Sequence, residues 1–121
     1  MTDKKKLVVV ITNGQSNERS SVGWSVANSG INTGLDVSVF LAAEGVDCVR
    51  KHGGTAQLNP LDPTLGEMMD NFIESGGKIM VCPACAKVRG YSPKDLIEGA
   101  EIKGSPAMHE LIKEGAATLS F

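Results

Sequence analysis

Apolar positions along this chain fall into two alternating kinds of run. Leu7-Val8-Val9-Val10-Ile11, Leu35 to Leu41 and Ile79-Met80-Val81 are short and almost free of polar residues, the pattern of strands buried on both faces of a parallel sheet. Ala100-Glu101-Ile102 and Ala116 to Phe121 are predicted as two further short strands. Helical spacing appears between these runs. Ser20 to Ile31 carries the small residues Ser21, Gly23, Ser25 and Ala27 among Val22, Trp24 and Val26, which suits a helix lying close against a sheet. Glu44 to Lys51, with Val46, Cys48 and Val49, predicts a short helix ended by His52-Gly53-Gly54. Thr64-Leu65-Gly66-Glu67 has the spacing of a capping box, and Leu65, Met68, Met69, Phe72 and Ile73 then share one helical face up to Gly76-Gly77.

The remaining punctuation completes the alternation. Thr55 to Pro63 contains Asn59-Pro60 and Asp62-Pro63 without any period, and predicts a loop placed and sized to act as a lid. Ser92-Pro93-Lys94-Asp95 predicts a one- or two-turn helix through Leu96 and Ile97. Ser105-Pro106 opens the last helix, with Ala107, Met108, Leu111 and Ile112 expected inward and His109, Glu110, Lys113 and Glu114 outward. Strands alternating with helices imply an α/β fold: a single three-layer domain over residues 1–121, with a mostly parallel open sheet. Such sheets place their sites at the carboxyl ends of the strands. Cys82 and the loop Thr12-Asn13-Gly14 both fall at that edge.

Cys82 carries the clearest chemistry. It follows the apolar run directly, and Pro83 fits the first position of a helix that Ala84, Cys85, Ala86, Lys87 and Val88 continue to Gly90. Cys82 is then the N-cap, facing unpaired amides and the positive end of the helix dipole, which favours the thiolate. Cys85 stands one turn on, and a Cys-x-x-Cys at a helix start is the arrangement of a dithiol couple whose second sulfur resolves a disulfide or a persulfide.

Composition narrows the remaining classes. The 121 residues are 41% hydrophobic, enough for one core and no second domain. A formal net charge of -2 and a pI near 5.6 give no overall basic field for nucleic acid or an anionic membrane. The run Lys4-Lys5-Lys6 reads as a solvated approach to the first strand. No apolar stretch spans a bilayer and the N-terminus lacks the apolar region of a signal peptide, so a cytoplasmic protein is expected. Three cysteines, an odd number, fit a reducing compartment.

Beyond the thiols the signals are weaker. One Cys-x-x-Cys supplies two of four zinc ligands, and Cys48, His52 and His109 show no second paired spacing. No resident metal is expected. Cys48 between Val46 and Val49 reads as a small core residue, and His52 as a helix-end cation. The loop Thr12-Asn13-Gly14-Gln15-Ser16-Asn17 can cradle a phosphate in flavin proteins of this topology, but it lacks the glycine-rich fingerprint and reads as a capped turn lining the Cys82 pocket. No cofactor is expected. Asn13 and Arg89 are candidate pocket or anion contacts.

The stretch Cys82-Pro83-Ala84-Cys85-Ala86-Lys87-Val88-Arg89-Gly90, after an apolar strand and before a strand-helix-strand ending, resembles the DsrE/DsrF-like family of small sulfur-relay proteins, and the resemblance covers nearly the whole chain. In that family a cysteine seven residues before an Arg-Gly pair carries sulfur as a persulfide. Cys82 stands seven residues before Arg89-Gly90. The resemblance implies sulfur donor and acceptor proteins as partners, and oligomers such as trimers or hexamers. Two other classes stay open: a dithiol redox protein using Cys82 and Cys85, and an oligomeric binding module with incidental thiols.

Overall fold

The structure is a computed structural model that describes residues 4–121; residues 1–3, the start of the predicted domain, lie outside the described residues. Five strands, β1 (Lys6–Ile11), β2 (Asp36–Leu41), β3 (Lys78–Val81), β4 (Ala100–Ile102) and β5 (Ala117–Ser120), form one sheet in the order β4-β3-β2-β1-β5. Every neighbouring pair is parallel. Successive strands step outward from β1 to β4, and the chain then returns across the sheet to place β5 on the other side of β1.

That return divides the helices between the two faces. Side chains of a strand alternate between faces, so Leu7, Val9, Ile11, Val37, Val39, Leu41, Ile79 and Val81 share one core with Trp24 and Ala27 of α1 (Glu18–Asn32) and Met69 and Phe72 of α2 (Leu65–Glu74). Trp24 and Phe72, both wholly buried, meet edge to face with centroids 5.7 Å apart. Val8, Phe40 and Met80 point the other way, under Ala107, Met108 and Leu111 of α4 (Ser105–Lys113). No residue of α4 is fully buried. One face of the sheet is thus thickly covered and the other thinly.

The predicted elements are present with local shifts. The first helix starts earlier than Ser20, because the Asn17 side chain accepts from Arg19 N–H and caps it at Glu18. The segment expected as a helix from Glu44 to Lys51 is a tight 3₁₀ helix, Ala43–Val49. The turn after Ser92 is shorter than expected, three residues of 3₁₀ helix at Pro93–Asp95. Ile112 is 43% exposed rather than inward, since α4, alone on its face among the described residues, half-buries only the stripe of Ala107, Met108 and Leu111. The loop from Thr55 to Pro63 is pinned at both sides: Ala56 and Leu58 pack against the core and Gln57 donates to the Asp62 carbonyl. Ala56 borders a hollow with Gln15, Asp47 and Arg50.

The capping box is fully formed. Thr64 Oγ1 accepts from Glu67 N–H at 3.2 Å while the Glu67 carboxylate accepts from Thr64 N–H at 3.0 Å. Replacing Thr64 by Ala leaves the Glu67 amide unpaired and is expected to cost about 1 kcal/mol. A urea midpoint equal to that of the native chain would contradict this.

Candidate functional site

The carboxyl edge of the sheet is a row of backbone hydrogen bonds. Lys103 N–H donates to Val81 O, Cys82 N–H to Leu41 O at 2.9 Å, Ala42 N–H to Ile11 O and Thr12 N–H to Phe121 O. Cys82 is therefore still tied to the sheet through its amide when the helix α3 (Pro83–Val88) begins. Ala86 N–H closes the first helical bond onto the Cys82 carbonyl at 3.0 Å. Pro83 occupies the first helical position, as the sequence predicts, and Gly90 stops the helix at φ +75°.

Cys82 and Cys85 are half-buried thiols and form no disulfide. Cys82 lies on the thinly covered side, beside Val8, Phe40 and Met80. Burial opposes its ionisation, but the Cys85 amide and thiol and the Ala84 amide outweigh that cost and hold the Cys82 thiol below its ordinary pKa. None of these makes a full capping hydrogen bond to the sulfur; they act through the positive field of the exposed amides at a helix start. Cys85 is held from the other side. Ala43 N–H donates to its sulfur at 3.2 Å, and Ala43 adopts a left-handed φ of +50° to do so. A non-glycine residue in that region is strained, and such strain persists where its surroundings over-determine it.

Behind Cys85 a polar chain runs into the molecule. Arg89, the C-cap of α3, donates from Nη1 to the Cys85 carbonyl at 3.2 Å and pairs through Nε with Asp47 at 3.5 Å. Tyr91 donates its hydroxyl to the same Asp47 oxygen at 2.6 Å, and this bond to a carboxylate raises the Tyr91 pKa above its ordinary value. Gln15 donates to the Asp47 carbonyl at 2.9 Å, tying the loop after β1 into the same network. Arg89 is thus anchored one turn behind the thiols, while Asn13 is spent on its own turn, accepting from Asn17 Nδ2 at 3.1 Å. Among the described residues no hydrogen bond joins either residue to the Cys82 sulfur.

Ala43, Asp47 and Tyr91 are the residues that sequence reasoning missed. An alanine in a left-handed conformation leaves no mark in a sequence. Asp47 and Tyr91 lie 44 positions apart, with no spacing to connect them.

The other candidates resolve quickly. Cys48 is wholly buried, and burial is the main cause that pushes its thiol up to about 11. The loop after β1 is a capped turn, with Ser20 Oγ donating to the Gly14 and Asn17 carbonyls. Glu44 and Asp47 line the same hollow as Gly14, Gln15, Ser16 and Arg50, so two carboxylates stand against the one cation there and oppose a phosphate. Among the described residues no group of three or more His, Cys, Asp or Glu side chains is placed to hold a metal ion. No helix among them is long and apolar enough to cross a membrane.

Comparison with known proteins agrees with this architecture. Over 120 residues the chain is 33% identical to the uncharacterized protein MJ0989 of Methanocaldococcus jannaschii, covering 96% of this chain and 99% of that one. It is 30% identical to MJ0760 of the same organism over 88% of this chain, though it spans only 39% of that longer protein. Among solved structures, the ychN protein of E. coli superposes with a TM-score of 0.80 over 98% of this chain and all of that one, at 19% identity. The DsrE/DsrF-like family pattern matches residues 4–121, and the chain belongs to that family.

Proposed function

We propose that this protein is a sulfur carrier in which Cys82 holds sulfur as a persulfide and Cys85 is its resolving thiol. The observation that carries the reading is the placement of Cys82: half-exposed at the carboxyl edge, at the start of α3, with its pKa lowered by the Ala84 and Cys85 amides and the Cys85 thiol. Membership of a family associated with sulfur relay supports it. In loading, the Cys82 thiolate attacks the outer sulfur of a donor persulfide, and the donor's own thiolate leaves as the S–S bond breaks. In unloading, an acceptor thiolate attacks the outer sulfur and Cys82 departs as thiolate. Where no acceptor is present, the Cys85 thiolate attacks the inner sulfur, expels hydrosulfide and leaves a Cys82–Cys85 disulfide, so that the dithiol supplies the two electrons.

A homo-oligomer, trimer or hexamer, belongs to the same reading. The thinly covered face under α4 and the exposed strand β5, with Leu119 45% exposed, favour it. A cytoplasmic setting goes with it as well, since three unpaired cysteines persist as thiols in a reducing compartment.

The test is intact-mass analysis after brief exposure to a persulfide donor. Cys85→Ser should gain one sulfur and keep it, Cys82→Ser should gain none, and the native chain should gain one sulfur that it then releases as hydrosulfide while the Cys82–Cys85 disulfide forms. Equal loading of Cys82→Ser would sink the assignment. The proximity of the Cys85 thiol to Cys82 gives the dithiol redox reading its footing, and a native chain that loses two hydrogens while Cys85→Ser never gains sulfur would favour it.

A further inference from the structure

At the far end of α3 from Cys82 lies a hollow of about 510 Å³ walled by Arg50, Lys51, His52, Arg89, Tyr91 and Lys94. Its charge departs from that of the molecule. The chain as a whole carries a net charge of -2, yet four of its twelve Lys and Arg residues converge here from three separate segments. A single carboxylate, Asp95, shares the wall. Clefts lined by one sign of charge focus the field and raise the local concentration of the opposite ion.

The acids near this hollow are already committed. Asp95 accepts from Ser92 N–H at 2.8 Å and from Ser92 Oγ at 3.0 Å, and these bonds hold its carboxyl below the usual range. Asp47, just behind, is taken by the Tyr91 hydroxyl and by Arg89 Nε. The cations are not. Among the described residues Arg50, Lys51 and Lys94 have no carboxylate within ion-pair distance. Arg89 spends two of its five N–H donors, on Asp47 and the Cys85 carbonyl.

The frame is also fixed before any ligand arrives. Arg50 and Leu96 form an antiparallel bridge, with Lys51 N–H on the Asp95 carbonyl and Ile97 N–H on the Val49 carbonyl, both at 2.9 Å. His52 turns the chain at the rim in a left-handed φ of +65°. Two segments that carry three of the four cations are therefore pinned to one another through their backbones, and Arg89 is pinned through Asp47. Preorganised charge costs little ordering when an anion binds.

We infer that this hollow is a binding site for a diphosphate group. Two adjacent phosphates match several unpaired cations around one concavity, where a lone carboxylate does not, and guanidinium groups bind phosphate oxygens in pairs. The volume lies in the range of small-molecule sites. Convergence on one hollow, instead of an extended track, favours a compact anion over an acidic peptide. Cys82 takes no part in the site, so the inference stands independently of sulfur transfer.

Isothermal titration of the full chain at low ionic strength tests it, because charges in an open hollow are screened by salt. Inorganic pyrophosphate and ADP are the probes, with a short polyglutamate peptide as a third. Pyrophosphate should bind, at least tenfold more weakly to the Arg50→Gln/Lys94→Gln variant, and unchanged to Cys82→Ser. A Lys4→Gln/Lys5→Gln variant removes the same charge from the amino end of β1 and should bind like the native chain. Tighter binding of ADP would identify a nucleotide as the source of the diphosphate, and equal binding a free diphosphate. The inference is overturned by absence of binding, by an equal loss in the Lys4→Gln/Lys5→Gln variant, or by tighter binding of polyglutamate.

Discussion

Brief treatment of the native chain with iodoacetamide at neutral pH is expected to alkylate Cys82 and leave Cys48 intact. Alkylation proceeds through the thiolate, so rate follows ionisation and access together. An ordinary thiol with a pKa near 8.5 is about 3% thiolate at pH 7, and Cys82 lies below its ordinary value, chiefly through the Cys85 amide acting against the cost of burial. Cys48 is the opposite case. Burial pushes its thiol up to about 11, the Asp47 charge adds to this, and contact with the Trp24 indole offsets only part. At that value roughly one thiolate in ten thousand is present at pH 7, and the sulfur is wholly buried besides. Peptide mapping over time should show Cys82 modified at least a hundredfold faster than Cys48, with Cys48 labelled only after denaturation. Comparable rates for the two would remove the premise of the carrier reading, because a thiol no more reactive than a core residue has no special claim to sulfur.

The contrast between these thiols was partly legible in the sequence, and the reason is local. Whether a cysteine caps a helix or sits within one depends on its immediate neighbours: Pro83 after Cys82, Val46 and Val49 around Cys48. The unbroken β-branched runs announced their strands for the same reason. Long-range placement has no such signature. Nothing local says that β5 returns to the outer side of β1, that α4 is the one described helix on its face, or that Ile112 consequently points to solvent. Arg89 illustrates the divide: its helix-end position followed from Gly90, but its partner Asp47 comes from the segment after β2. Asn13 lies at the same edge as Cys82, yet β2 separates its loop from Cys82, and its side chain serves its own turn. The hollow beside α3 depends on a backbone bridge between Arg50 and Leu96, which no spacing in the chain reveals.

Replacing Gly45 by Ala is expected to be among the most damaging single substitutions in this protein. A Cβ at that position would stand 2.2 Å from the Ile11 carbonyl oxygen and 2.9 Å from its carbon. Both are backbone atoms of β1, and no side-chain rotation relieves such a contact. The same carbonyl accepts from Ala42 N–H at 3.2 Å, so moving it loosens the carboxyl edge between β1 and β2. Overpacking of a core commonly costs 1–3 kcal/mol, and a clash with immobile backbone belongs at about 3 kcal/mol or above. With a urea slope of about 1–3 kcal/mol per molar, the midpoint should fall by roughly 1 M or more. Gly34→Ala supplies the comparison, since its Cβ meets nothing within 4 Å and only the left-handed φ of +95° opposes it. The site should suffer along with the fold. Gly45 N–H closes the turn onto the Ala42 carbonyl, and Ala43 N–H within that turn holds the Cys85 sulfur; any displacement of the turn withdraws the donor. A Gly45→Ala protein with a native urea midpoint would show that the 3₁₀ segment is free to slide. The strained alanine beside Cys85 would then have no rigid support.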